Sequence, residues 1–276
     1  MNKLTKIFCW LSGLVISLVL ISILGDIILN SLESFNLTFL YQVPMSAGRR
    51  GGIYPIIIST LLITGISTLV TVPIGTLCAI YLSRHYPSTL VFKKFIKRMI
   101  QVLSGVPSIV FGLFGNAIFC TFFGLGFSIL SGALTLSCMC LPLFITSVEE
   151  GVSSIPDEVI HTTHSLGFSL YTTFKSIVLP LAIPSILSGL VLSVGRALAE
   201  TAALIFTSGY VDRFPESLLD SGRALSVHIY DLAMNVPGGD QNAYKSSMVL
   251  IGLILIINSV FNIIAKIISK EGQLYE

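Results

Sequence analysis

Six stretches of this 276-residue chain stay apolar long enough to cross a bilayer. A helix needs roughly 20 apolar residues to span about 30 Å of hydrocarbon. The pattern predicts spanning helices over 7–29, 55–82, 99–122, 128–148, 179–208 and 247–268. Pro73, Gly75, Pro107, Gly112, Gly115, Pro142, Pro184 and Gly189 fall inside them. Membrane helices tolerate such residues because neighbours satisfy the freed backbone groups. At Pro73, Gly75, Pro107 and Gly112 two readings stand: points where a helix bends, or points where helices approach closely. The first apolar run follows Lys3 and Lys6 as a signal peptide's would. It extends from Ile7 to Gly25 with no small-x-small cleavage site after it, so a retained helix is expected. The expected fold class is all-α and polytopic. Residues 1–54 read as an N-terminal helix with its outer loop, and residues 55–276 as a five-helix core.

Composition agrees with the pattern. Charged residues make up 11% of the chain and hydrophobic ones 53%, against about 25% charged in a soluble domain. Lysine and arginine orient the spans. With the N-terminus inside, the inner side holds ten of them and the outer side five, and Arg196 is left in a span. The 83–98 loop carries the clearest bias, with Arg84, Lys93, Lys94, Lys97 and Arg98. Both termini are therefore expected in the cytoplasm, with loops 30–54 and 209–246 outside. The five cysteines lie in apolar runs without C-x-x-C spacing and read as small hydrophobes. No P-loop motif is present, so the chain does not hydrolyse ATP through one. Neither metal nor cofactor is called for, nor is nucleic acid.

The polar stretch from Glu149 to Ser176, within a loop expected over 149–178, is longer than a connection between two spans requires. Ser154-Ile155-Pro156-Asp157 has the capping serine, early proline and first-turn acids of a helix start. Val159, Thr163 and Leu166 recur at helical spacing, and Gly167 is placed to end the helix in a left-handed conformation. Ser169 can cap a second helix through Tyr171, Phe174 and Lys175, and Leu179-Pro180 marks re-entry to the membrane. An interfacial amphipathic hairpin and a docking element both fit. The spacing Gly167-x9-Ile177-x-Leu179-Pro180 resembles the cytoplasmic signature of ABC importer permeases, whose loop carries a coupling helix that fits the ATPase subunit. The resemblance implies a coupling role for Asp157, Glu158, His161, Thr162, Thr163, Leu166 and Gly167. His161-Thr162-Thr163 replaces the family's Glu-Ala-Ala. Asp157, Glu158 or the Glu149-Glu150 pair is then the candidate for the acidic contact.

The fifth span carries Gly195-Arg196-Ala197-Leu198-Ala199-Glu200-Thr201. Arg196 lies about 22 Å along the helix axis from Leu181, past the midplane. Each such charge costs roughly 2.5–3.5 kcal/mol to insert. Spacing i,i+4 puts Arg196 and Glu200 on one face, where they can pair. A structural ion pair and a polar patch on a translocation path both account for them. Arginine's forked donors suit oxyanions such as phosphate. The segment Gly195–Ala202 resembles Gly-Arg-Ala-x-Gly-Glu-Thr-Ala of the phosphate permeases of the PstA and PstC types, with Ala199 in place of glycine. Gly105-Val106-Pro107-Ser108-Ile109-Val110-Phe111-Gly112 resembles them too. Arg50-Gly51-Gly52-Ile53, Leu225–Tyr230 and Asn235-Val236-Pro237-Gly238-Gly239 favour the PstA type.

The resemblance implies a permease of the bacterial cytoplasmic membrane with Arg196, Glu200 and Thr201 toward the substrate. It also implies a paralogous permease, an ATPase dimer and a periplasmic or lipid-anchored phosphate-binding protein as partners, besides membrane lipid. Permeases for sulfate, molybdate, phosphonate or amino acids share the coupling geometry. An autonomous channel or carrier lacks a reason to keep the coupling loop. In the 209–246 loop His228 reads as a satisfied loop residue rather than a ligand. Arg49-Arg50 reads equally as an anion funnel or as plain surface.

Overall fold

The computed structural model describes residues 3–32, 35–86 and 89–273. The extreme terminal residues, for which a cytoplasmic position is expected, lie outside the described residues. Among the described residues twelve helices follow in order: α1 (Lys3–Leu32), α2 (Thr38–Tyr41), α3 (Tyr54–Leu82), α4 (Leu90–Ser104), α5 (Ser108–Gly115), α6 (Ile129–Ser153), α7 (Asp157–Ser165), α8 (Leu170–Thr173), α9 (Leu179–Ala199), α10 (Ala202–Ile205), α11 (Leu225–Met234) and α12 (Asp240–Gln273). A π-helical turn over Asn116–Phe122 extends α5, and another over Phe174–Val178 joins α8 to α9. Strands β1 (Pro44–Met45) and β2 (Arg50–Gly51) pair antiparallel before α3.

Among the described residues five helical runs are long and apolar enough to cross a membrane: Thr5–Leu32, Tyr54–Leu82, Ile129–Ser153, Leu170–Ala199 and Asp240–Ala265. The third expected span is a different object. Residues 90–104 form α4, and the chain then bends by 102° before Ser108–Phe122. Pro107 cannot donate to the ladder and disfavours helical geometry at Val106, so the direction changes there. A sixth span exists only if this bent pair is counted as one. The fifth span is also displaced. It starts at Leu170 rather than 179 and ends at Ala199 rather than 208. Pro180 does not mark its start, because the π turn before it brings the chain into α9 without a break.

Helix α6 is the centre, packed between α3 and α9. Ala133, Leu136, Cys140, Phe144, Val148 and Val152 are buried along it at steps of three and four, the spacing of one helical face. Phe144 sits where two glycines let helices close in. A Cβ on Gly75 would lie 2.4 Å from its ring, and one on Gly189 would lie 3.3 Å from it. Gly75 is thus a packing position. Helix α3 turns Ser59, Thr60, Thr64, Ser67 and Thr71 into the bundle. Thr60 and Thr68 return their hydroxyls to the carbonyls four residues back, and Ser137 Oγ of α6 donates to the Ser67 carbonyl. Helix α1 stands apart from this core and lies against α12. There Asp26 accepts from Tyr244 across the pair and from Asn30 on its own helix.

Candidate functional site

The first candidate region is the end of α9. The helix stops at Ala199, and Glu200 is extended (φ −77°, ψ 127°). Its N–H bonds Ala197, three residues back, at 3.3 Å. Helix α10 then lasts only from Ala202 to Ile205. The chain leaves helical structure inside an apolar bundle, where each freed backbone group needs a protein partner. It finds them. Ser226 Oγ donates to the Glu200 carbonyl at 2.6 Å, and Asn116 Nδ2 to the Phe206 carbonyl at 2.8 Å. The Ser128 N–H reaches the Thr207 carbonyl at 3.1 Å. Gly112 makes the fit possible, since a Cβ there would lie 2.9 Å from the Ala203 Cα.

The side chains are less committed. Arg196 is exposed on the surface of the chain, and Glu200 and Thr201 are half-buried. The expected Arg196–Glu200 pair is not formed. Four ion pairs occur among the described residues and neither charge is in one. The cause is local: the last turn tightens and unwinds between them, so the i,i+4 geometry is lost at its second member. One turn before Arg196, the Ser193 hydroxyl is buried without a partner among the described residues.

Beyond the break, α11 packs on α3 and α12. His228 is wholly buried on it. A Cβ on Gly48 would lie 2.4 Å from the His228 ring, so the turn between β1 and β2 seats on the imidazole. Arg223 is gripped by Asp231 at 3.2 Å and by the Tyr210 carbonyl at 2.7 Å, and lies 3.4 Å from His228 Nδ1. Burial, and then the Arg223 guanidinium, push His228 down to about 3, so it is neutral near pH 7. It is a packing residue, as a satisfied loop histidine would be, except that its Nε2 has no partner among the described residues. Arg49 and Arg50 are exposed.

The second region is the hairpin of α7 and α8. Gly167 has φ +75°, and the Phe168 N–H bonds the Thr163 carbonyl at 3.1 Å. This is the Schellman closure for which glycine is favoured. Ser169 Oγ caps α8 by accepting from the Thr172 N–H at 3.2 Å. The face turned inward differs from the expected one. Ile160 and Thr163 are buried, Val159 only partly, and Leu166 is 67% exposed. Thr163 is therefore internal, bonded to the Ile160 carbonyl and near Thr173 Oγ1, and is not a contact residue at the surface. Asp157, Glu158, His161, Thr162 and Gly167 are exposed. Asp157 is already engaged by Arg84 and His85, and Glu149 by Lys97 at 3.0 Å. Glu158 and Glu150 remain as exposed acids outside those pairs.

Arg84, His85, Ser226 and Arg223 were not singled out as site residues by the sequence. Their partners lie from 5 residues away (Arg223 and His228) to 73 (Arg84 and Asp157). The excess of positive charge in the 83–98 loop pointed near Arg84 and His85, and the Leu225–Tyr230 segment contains Ser226, but neither signal gave the contacts. Among the described residues no group of three or more His, Cys, Asp or Glu could hold a metal. All five cysteines are free.

Comparison with known proteins places this architecture. The chain is 29% identical over 285 residues to "Probable ABC transporter permease protein YqgI" of Bacillus subtilis (strain 168), covering 98% of this chain and 97% of that one. It is 33% identical over 213 residues to "Phosphate transport system permease protein PstA" of Mycobacterium leprae (strain TN), covering 75% and 68%. The fold matches a bacterial alginate ABC transporter, crystallised with its alginate-pentasaccharide-bound periplasmic protein, at TM-score 0.70, with 13% identity and 97% of each chain covered. It also matches the MetNI methionine ABC transporter in an inward-facing conformation at TM-score 0.64, with 13% identity, over 78% of this chain and 95% of that one. The family model described as "Binding-protein-dependent transport system inner membrane component" matches residues 71–271. The chain, with its type I importer permease fold, belongs to that family.

Proposed function

We propose that the chain is the permease subunit of an ATP-driven phosphate importer, most like the PstA type, and performs no covalent chemistry itself. The observation that carries the reading is Arg196: a guanidinium exposed on a span-length helix, one turn before that helix breaks, with no ion-pair partner among the described residues. Facing lipid, such a charge costs roughly 2.5–3.5 kcal/mol. Facing a water-filled path shared with a second permease, it is hydrated and free to meet an oxyanion. The PstA relative supports phosphate as the cargo. Glu200 and Thr201 sit at the break itself and set the charge and polarity of the path beside Arg196.

At the other end of the bundle, the α7–α8 hairpin is the element that meets an ATPase dimer on the cytoplasmic side. Leu166, His161 and Thr162 form its exposed contact surface, and Glu158 and Glu150 supply the acidity that the Glu-Ala-Ala motif would otherwise bring. A soluble phosphate-binding protein delivers cargo at the α11 end. ATP binding draws the two hairpins of the permease pair together and opens the path outward, and hydrolysis returns it inward.

The test is uptake in proteoliposomes holding this chain, its partner permease, the ATPase and the binding protein. An arginine–anion hydrogen bond contributes about 1.5–3 kcal/mol. Arg196→Gln therefore lowers phosphate uptake about 10-fold or more. Unchanged uptake in the assembled variant would remove Arg196 from the path. Loss of phosphate uptake in the presence of equimolar sulfate would move the cargo to sulfate.

A further inference from the structure

The turn between α3 and the start of the described α4 segment grips the beginning of α7. Two observations make the turn a rigid support. Lys93 of α4 is buried, and its ammonium donates to the Ser83 and Tyr86 carbonyls. Ser83 closes α3 in turn, with its N–H on Ala79 and its hydroxyl on the Ile80 carbonyl. From this support Arg84 Nη2 donates to the Ile155 carbonyl at 3.1 Å and lies 3.6 Å from Asp157 Oδ1. His85 Nδ1 lies 3.3 Å from the same oxygen, with the imidazole only 3% exposed. The entry to α7 is thus held at a backbone carbonyl and at its first side chain. Beneath the polar contacts, Leu82, Val152, Ile155 and Ile160 share one apolar cluster.

We propose that Arg84 and His85 are positioning residues that clamp α7 to α3 through Asp157, so that displacement of the hairpin is delivered to α3 as well as along the chain to α6 and α9. This rests on the reading that α7 meets an ATPase. Without the clamp, α7 keeps only the short 154–156 connection to α6, the Gly167 turn and the non-directional apolar contact of Ile155 and Ile160 with Leu82. With it, the push reaches the helix that carries Ser67 and Thr71 and packs against both α6 and α9. Asp157 then serves the chain's own mechanics instead of touching the ATPase.

The charges that face the clamp come from the turn and from three helices. Arg84 and His85 are on the turn, Asp157 is on α7, and Lys97 of α4 with Glu149 of α6 form the neighbouring pair. Burial, then Arg84, hold His85 below the ordinary imidazole range against the opposing pull of Asp157. Arg84 and Asp157 are each about half exposed (52% and 56%). An exposed pair contributes little to stability, so a large effect of breaking it would be mechanical and not a folding defect.

The experiment uses the assembled transporter in proteoliposomes and reads three quantities: ATPase retained on purification, ATP hydrolysed, and phosphate taken up. Arg84→Gln and Asp157→Asn should retain the ATPase, while phosphate imported per ATP falls about 5-fold. Arg84→Lys, which keeps a positive donor facing both Asp157 and the Ile155 carbonyl, should recover at least half of that ratio. Wild-type coupling in both single variants, or no recovery in Arg84→Lys, would overturn the clamp. Release of the ATPase by Asp157→Asn alone would also overturn it, making Asp157 a docking contact. A different result bears on the docking reading itself: a Leu166→Asp variant that keeps its ATPase and its uptake would mean that α7 is not the docking element.

Discussion

Two departures from helix define this molecule, and they are built in opposite ways. At Gly167 the chain turns in open space, with nothing within 4 Å of where a Cβ would be. The α7–α8 turn presents Leu166 outward, and its one requirement is a left-handed backbone. At Glu200 the chain turns inside the bundle, with its carbonyls taken by Ser226, Asn116 and the Ser128 N–H and its surroundings closed around Gly112. Where another chain or water completes the surface, backbone can be left to them. Within the membrane the protein must complete it alone. The contrast reverses for charge. Near the exposed hairpin two of the four acids, Asp157 and Glu149, are engaged, whereas Arg196 beside the enclosed break is in no ion pair among the described residues. A break with a locked backbone and a free guanidinium is suited to handling an ion that has to leave again.

The largest expected effect comes from filling the enclosed break. In Gly112→Val the new Cβ meets backbone atoms, with Ala203 Cα at 2.9 Å and the Ala202 carbonyl at 3.2 Å, and these cannot rotate away. Overpacking of this kind costs about 1–3 kcal/mol, and the helix break would have to shift as well. Gly167→Ala meets no atom and carries only the cost of φ +75°, about 1–2 kcal/mol. Thermal unfolding in detergent should therefore place Gly112→Val below Gly167→Ala, with extra protease cleavage in 200–224 only for Gly112→Val. Equal destabilisation with equal cleavage would mean that the two breaks are not differently built.

The next effect separates the ends by pH. His228 falls to about 3 in the folded chain, because of burial first and Arg223 second, against about 6.5 in an unfolded one. Below 6.5 the unfolded chain binds a proton that the folded chain refuses. The contribution is present above that pH and is lost progressively toward 3. Going from pH 7 to pH 5 should cost about 2 kcal/mol at 1.36 kcal/mol per unit. Hydrogen exchange at the α11 end should speed up over that range, and His228→Gln should abolish the pH dependence. A pH response that survives the substitution would assign it to another group, with His85 at the hairpin end first in line, since it is shifted in the same direction.

Much of this arrangement could be read from the residue pattern, and the omissions have physical causes. Helix α3 begins and ends within a residue of the expected 55–82 because hydropathy reports immersion directly. Gly167 was placed because a cap is a local device. The 102° bend was hidden because a hydropathy window measures apolarity and not direction, although Val106-Pro107 was available as the signal. The stop at Ala199 had no local signal at all. Ala197-Leu198-Ala199 is good helix-forming sequence, and the carbonyl freed at the break is bonded by Ser226, 26 residues on. The residues of the candidate region were thus identifiable, but not their arrangement. Arg196 and Glu200 looked like a pair as long as the helix was assumed to continue, and the contacts that end it are tertiary.

The smallest effect isolates one of those contacts. Ser226→Ala removes the hydroxyl that donates to the Glu200 carbonyl at 2.6 Å and changes nothing else at that size. The hydrogen bond contributes about 0.5–1.5 kcal/mol, so unfolding should shift only slightly. Its use lies in what happens locally. If Ser226 is what keeps the carbonyl turned out of helical geometry, its loss lets α9 extend by a turn through Thr201, and Glu200 swings toward the face that carries Arg196. A spin label or a cross-linkable cysteine pair at 196 and 200, compared with and without Ser226, reads that rotation. The expected outcome is a shorter 196–200 separation in Ser226→Ala. An unchanged separation would mean that Gly112 packing and the Asn116 bond maintain the break without Ser226, and that the enclosed turn is locked by shape more than by hydrogen bonding.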